Sequence, residues 1–81
     1  MKIKFNTREY IISNGTNPKG CGSWFFEVEA VDGFEVEEKT KTWYSPWMTY
    51  GQAKFWVKEE VKAWTAKKNI SAHHVCVKVG P

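Results

Sequence analysis

A capped amphipathic pattern between Thr49 and Asn69 constrains the fold of this chain more than any other feature of its sequence. Thr49 and Gln52 have the spacing of a capping box, in which each side chain accepts a hydrogen bond from the backbone N–H of the other residue. Asn69 is a residue type that adopts the left-handed conformation at the end of a helix. The intervening apolar residues recur at three- and four-residue steps, namely Ala53, Trp56, Val57, Val61 and Trp64. The pattern predicts one amphipathic helix with one apolar face.

Most of the remaining sequence alternates between apolar and polar residues, which is typical of strands with one buried face. Residues 2–13 predict a first strand with a bend near Thr7, where the parity of the apolar residues changes. Residues 23–31 predict a second strand with Trp24, Phe26 and Val28 on its buried face. Between these two strands, residues 14–22 (NGTNPKGCG) have the glycine, asparagine and proline content of a loop.

The second half of the sheet is predicted from turn residues. Asp32-Gly33 favours a two-residue hairpin, because both positions of such a turn require positive φ. A third strand is expected from Phe34 into residues 40–44, where Pro46 ends it, and residues 72–79 predict a fourth strand. The order β-β-β-α-β indicates a single α+β domain over residues 1–81, with a small sheet that is antiparallel or mixed and one helix on one face. The expected core is Trp24, Phe26, Val28, Trp56, Val57, Val61, Trp64, Val75 and Val77.

The composition excludes several classes of protein. No apolar run approaches 18 residues, so no membrane span is expected, and residues 1–5 alternate rather than forming the apolar core of a signal peptide. We therefore expect a cytoplasmic protein in which Cys21 and Cys76 are reduced thiols.

No motif in the sequence predicts catalysis. The loop at 14–22 is not a phosphate-binding P-loop, because Gly20 is followed by Cys21, and a hairpin connection is favoured over an anion nest beside Lys19. His74 and Cys76 share a strand face but lack the paired spacings of a structural zinc site. We predict no enzyme activity, no metal and no cofactor.

Aromatic residues at outward parity predict an interaction surface. Phe25 and Trp43 are expected on the helix-free face of the sheet, where a cross-strand aromatic pair stabilises the sheet or anchors a partner. Lys19, Glu27 and Glu29 are expected beside them, and the acids favour a protein partner over nucleic acid. A homodimer through the same face is a variant of this hypothesis.

The alternative hypothesis is a nucleic-acid-binding domain. A row of lysines follows the predicted helix, and their ammonium groups would contact phosphates. Glutamates interrupt the row, and the chain has a single arginine, Arg8, for reading bases. The residues of this alternative site are Lys54, Lys58, Lys62, Lys67 and Lys68.

Residues 10–27 (YIISNGTNPKGCGSWFFE) and 50–54 (YGQAK) resemble a group of short phage and bacterial proteins. Their pattern is a strand, a Ser-His-Gly-Lys-x-Pro-Arg-Gly-x-Gly-x-Trp-x-Phe segment, and a helix that begins with aromatic-x-x-Ala-Lys. Asn14, Thr16 and Lys19 stand where that pattern has His, Lys and Arg. The resemblance covers about half of the chain. It implies a phage-type accessory protein that binds and modulates a host protein inside the host cell.

Overall fold

The structure is a computed structural model that describes every residue from Met1 to Pro81. It contains a mixed sheet, a short two-stranded ribbon and two helices, so the predicted α+β class is confirmed. The elements in chain order are β1 (Lys2–Asn6), α1 (Arg8–Asn14), β2 (Cys21–Gly22), β3 (Phe25–Val31), β4 (Phe34–Glu35), β5 (Thr42–Tyr44), β6 (Met48–Thr49), α2 (Tyr50–Lys67) and β7 (His74–Val79).

The main sheet has the order β1-β7-β3, and β4 and β5 both pair with the outer edge of β3. β1 is parallel to β7, whereas β3 is antiparallel to β7, β4 and β5. β2 and β6 form a separate antiparallel ribbon, which joins the end of the glycine-rich loop to the residues that precede α2. No helix has the length and apolarity needed to cross a membrane.

The core lies between α2 and one face of the sheet. Seven of the nine predicted core residues are buried, while Trp56 and Trp64 are partly buried and pack against them. β7 supplies the most regular contribution, because its odd-numbered valines are all buried and the residues between them face the other side. Three further core residues were not predicted, namely Trp43, Ala53 and Val79.

The helix and its caps agree with the sequence prediction. The Thr49 hydroxyl accepts a hydrogen bond from the Gln52 N–H at 3.2 Å, and the Thr49 N–H donates to Gln52 Oε1 at 3.0 Å. Asn69 adopts φ 55° just after the helix, as expected for a left-handed cap. Asp32 and Gly33 have φ values of 50° and 82°, which confirms the hairpin turn between β3 and β4.

The prediction of one strand over residues 2–13 is wrong in its second half, because residues 8–14 form the helix α1. The Asn6 side-chain oxygen accepts a hydrogen bond from the Arg8 N–H, and Gly15 closes the helix with φ 71°. Tyr10 faces the core cluster, whereas Ile12 is exposed. The parity change near Thr7 marks the start of this helix rather than a bend in a strand.

The predicted third strand is two short strands, β4 and β5, separated by residues 36–41. Lys39 has φ 61°, which a strand does not accommodate, and its N–H donates to the Glu27 carboxylate at 2.6 Å. Residues 37–40 therefore lie outside the sheet, with Lys39 held by a side chain of β3, while Val36 and Lys41 still form backbone hydrogen bonds with β3.

Candidate binding groove

An open groove of about 510 Å³ lies at the end of the sheet where β3 begins. We call it the end groove. One wall comes from α1 and the loop that follows it, and the other comes from β3 and β5. Its principal side chains are Tyr10, Asn14, Lys19, Ser23, Phe25 and Tyr44.

The apolar part of the end groove is a cross-strand aromatic pair. Phe25 and Tyr44 are register partners on β3 and β5, and their ring centroids are 4.9 Å apart. Tyr44 is 71% exposed, and Phe25 is half-buried beneath the groove surface. Gly80 supports the Phe25 ring, since its N–H donates to the Phe25 carbonyl at 2.9 Å and a Cβ on Gly80 would overlap the ring. The pair is therefore held in place on one side and open to solvent on the other.

Trp24, the neighbour of Phe25 in the chain, also lines the end groove and is held by contacts with several elements. Its ring lies 5.5 Å from Tyr10 and 5.1 Å from Tyr50, measured between centroids. Its indole N–H donates to the Met48 carbonyl at 2.9 Å, and its backbone N–H donates to the Ser45 hydroxyl at 2.8 Å. Trp24 therefore contacts α1, α2 and the segment between β5 and β6, and so links elements on both sides of the groove.

The placement of Trp43 on the helix-free face is wrong. Trp43 is a register partner of Phe26 on the core face, is 9% exposed, and contacts Trp64 edge to face at 6.2 Å between centroids. The alternation of inward and outward side chains predicts Trp43 on the outer face only if the chain is extended from Lys39 onward. Lys39 has φ 61°, so the alternation is interrupted there. Tyr44 takes the position beside Phe25 that the sequence had assigned to Trp43.

Lys19 is the only charged side chain that lines the end groove. It is exposed, forms no ion pair, and no carboxylate side chain lines the groove with it. The loop that contains Lys19 is predicted to be a hairpin connection between two strands, but this prediction is wrong. The loop joins the helix α1 to β2. Gly20 within it has φ 80°, a conformation that favours glycine. The groove consequently combines an exposed aromatic surface with one positively charged side chain that forms no ion pair.

Glu27 and Glu29, the acids of β3 that are predicted to contact a partner, are both bonded to other groups of the protein. The Glu27 carboxylate is nearly buried and lies 3.4 Å from the Lys78 ammonium, in addition to its bond from the Lys39 N–H. Glu29 stands at a bulge in β3 and accepts hydrogen bonds from the Asn6 amide at 3.0 Å and the Cys76 thiol at 3.3 Å. The middle of the sheet face opposite α2 is therefore a polar network rather than an acidic patch.

This network shifts two pKa values. Burial lowers the pKa of Lys78 by itself, but the hydrogen bonds and charges of Glu27 and Glu9 outweigh that effect, and the net pKa is raised. Burial, together with the hydrogen bond to Glu29, raises the pKa of the Cys76 thiol. Both cysteines are free, and no group of three or more His, Cys, Asp and Glu side chains is placed to hold a metal ion.

Three lysines of α2 lie close to neighbouring side chains. The ammonium groups of Lys54 and Lys58 lie above the rings of Tyr50 and Phe5, at 5.1 Å and 5.9 Å from the centroids. Lys62 lies 3.5 Å from Glu59. Lys67 lies in the last turn of the helix, and Lys68 is its C-cap residue.

Comparison of the chain with protein-family models, with curated proteins and with solved structures found no match.

Proposed function

We propose that this chain is a small non-catalytic binding protein whose end groove holds a segment of a protein partner. The Phe25–Tyr44 pair is the observation that carries the proposal. Rigid aromatic side chains contribute large contact areas at low entropic cost, and they are frequent hot spots of protein interfaces. Here Gly80 packs against the Phe25 ring from behind, so this ring needs little reorganisation to bind.

The proposal extends to a phage-type accessory protein that modulates a host protein in the cytoplasm of the host cell. The segment that carries the resemblance to phage and bacterial proteins provides most of one groove wall. Asn14 and Lys19, at the positions where that pattern has His and Arg, both line the groove. A partner-binding role for the groove gives a physical reason for a polar group at the first position and a cation at the second.

The test is capture from a bacterial lysate, followed by titration of the purified captured protein with a set of variants. Tyr44→Ala removes an exposed ring without opening the core, and Lys19→Glu reverses the groove's single charge. Phe34→Ala is the matched control, because Phe34 is 79% exposed but lies at the opposite end of β3.

We expect Tyr44→Ala and Lys19→Glu each to weaken binding at least about tenfold, as for hot-spot side chains. Phe34→Ala should bind like the unmodified chain. Loss of binding with Phe34→Ala alone would place the interface elsewhere and contradict the proposal.

A fluorescence titration distinguishes the proposed function from the alternative, which is nucleic-acid binding through the lysines of α2. Duplex DNA, single-stranded DNA and RNA are added at low and moderate salt while the tryptophan emission is followed. A saturating response that weakens steeply with salt, and that disappears with Lys58→Glu and Lys62→Glu, would support this alternative. We expect no such response, because Lys54 and Lys58 lie over aromatic rings and Lys62 is paired with Glu59.

A further inference from the structure

β5 is an edge strand whose outer backbone groups have no strand partner, since β5 pairs with β3 alone. The Ser45 N–H donates to the Trp24 carbonyl at 2.8 Å, and the Val28 N–H donates to the Lys41 carbonyl at 3.0 Å. In an antiparallel pair these bonds alternate along the strand, so residues 41, 43 and 45 face β3. The N–H and C=O groups of Thr42 and Tyr44 therefore point away from the sheet.

Both faces of this edge have an adjacent recess that contains aromatic side chains. On the side opposite α2, Tyr44 lines the end groove. On the core side, a smaller groove of about 170 Å³ lies between β5 and α2, with Trp43 and Trp64 as its main apolar side chains. We call it the edge groove. A strand added at β5 would direct successive side chains alternately towards these two recesses.

The opposite edge of the sheet is protected in a way that β5 is not. On the face of β1 opposite α2, the side chains of Lys2 and Lys4 are exposed, and charged residues of this kind discourage further strand pairing. The lysine next to β5, Lys41, places its ammonium group 5.4 Å from the centroid of the Trp43 ring. The Lys41 ammonium group therefore lies over the indole ring and does not block the backbone edge of β5.

The charges around the two grooves select the kind of strand that fits. Lys19 lines the end groove, while Lys41 and Lys67 line the edge groove against the single acid Glu60. This surplus of positive charge is complementary to an acidic segment. A second copy of the chain fits less well, because Lys39 and Lys41 precede its own β5 and would bring like charges together.

We propose that β5 accepts an acidic, extended segment of the protein partner as an added strand. The segment forms backbone hydrogen bonds with Thr42 and Tyr44, and its alternate side chains enter the end groove and the edge groove. This inference rests on the proposed function and specifies how the bound segment is recognised, in the manner of other complexes formed by strand addition.

The test uses a displayed library of random twelve-residue peptides selected on the unmodified chain, with the enriched peptides then synthesised. Thr42→Pro removes the outward N–H of β5, and proline is tolerated on an edge strand where that N–H does not bond the sheet. Thr42→Val is the matched control, because it keeps the N–H. Backbone amide exchange in the unmodified chain gives a second measurement that does not depend on a variant.

We expect the enriched peptides to be acidic, to bind Thr42→Val normally, and to bind Thr42→Pro at least about tenfold more weakly. Binding should slow amide exchange at Thr42 and Tyr44, while Trp43, whose N–H already faces β3, should change little. Peptides that bind but leave exchange at Thr42 and Tyr44 unchanged would overturn strand addition and leave the proposed function standing.

Two other outcomes decide the remaining possibilities. If no peptide is enriched, the proposed function itself is contradicted, together with this inference. If the unmodified chain dimerises in sedimentation and Thr42→Pro does not, β5 pairs with a second copy, and the assignment to a partner segment is wrong.

Discussion

At the scale of single residues, Asp32 connects the β3–β4 turn to the start of β7. One carboxylate oxygen accepts hydrogen bonds from the backbone N–H groups of His74 and His73, each at 2.8 Å. These two bonds, and to a smaller extent the nearby histidine charges, lower the pKa of Asp32 below its ordinary value of 3.8. The same residue supplies the positive φ that the turn requires.

The lowered pKa predicts an acid-sensitive contribution to stability. Because the folded pKa lies below the ordinary value of 3.8, the contribution is present above that pH and is lost as the pH falls through the folded pKa. Asp32→Asn keeps an acceptor oxygen and a residue that tolerates the turn, but it does not titrate. We expect its urea midpoint to fall less steeply with acid than that of the unmodified chain. Parallel pH profiles for the two proteins would contradict this assignment.

Gly80 is a second residue with a specific structural requirement, because a methyl group there would overlap the Phe25 ring. We expect Gly80→Ala to lower the free energy of unfolding by about 1–3 kcal/mol, the usual cost of overpacking. The measurement is urea denaturation of Gly80→Ala, Phe25→Ala and the double variant. The double variant should lose less than the sum of the two single losses, whereas additive losses would show that Gly80 does not act through Phe25.

At the scale of elements, α2 and the β2–β6 ribbon share one junction. Thr49 is both the N-cap of the helix and the register partner of Cys21 in the ribbon. The end of the glycine-rich loop is therefore placed by the same residue that begins the helix. This arrangement ties one wall of the end groove to the most strongly patterned element of the chain.

Loss of the cap is predicted to be measurable. Thr49→Ala removes the acceptor for the Gln52 N–H and should lower the free energy of unfolding by about 1 kcal/mol. Thr49→Ser keeps the hydroxyl and is the control in the same denaturation experiment. If Thr49→Ser were as destabilising as Thr49→Ala, the hydroxyl bond would not be the source of the effect.

At the scale of the whole molecule, Lys78 joins β7, β3 and α1 on the face of the sheet opposite α2. Its ammonium lies 3.4 Å from Glu27 on β3 and 3.6 Å from Glu9 on α1, and its side chain is 21% exposed. The raised pKa of Lys78 means that the stabilisation is complete below the unfolded pKa of about 10.4 and is lost as the pH rises through the higher folded value.

Removing this cation should therefore be costly. Lys78→Met leaves the nearly buried Glu27 carboxylate with only the Lys39 N–H as a partner, and we expect a loss of about 1–3 kcal/mol at neutral pH. Lys62→Met is the matched control, because Lys62 and Glu59 form an exposed pair that should contribute less than about 1 kcal/mol. Equal losses for the two variants in urea denaturation would show that burial of Glu27 does not matter.

The sequence by itself determined the elements whose signals are local. The capping box, the helical period of α2, the Asp32-Gly33 turn and the alternation of β7 each act within a few residues, and the structure contains all of them. Seven buried core residues follow from the same periodicities. Phe25 was placed correctly off the core face because parity within a continuous strand is reliable over a few residues.

Only the tertiary structure decided the rest, because it depends on contacts between distant segments. The seven-residue helix α1 is too short to show a clear period, and Tyr10 owes its position to Trp24. The backbone turn at Lys39 is stabilised by the Glu27 carboxylate of β3, which is distant in the sequence. Because the strand is interrupted at this turn, Trp43 faces the core and Tyr44 lines the groove. Strand order is likewise set by packing, and it places β5 at an edge of the sheet, where it pairs with β3 alone.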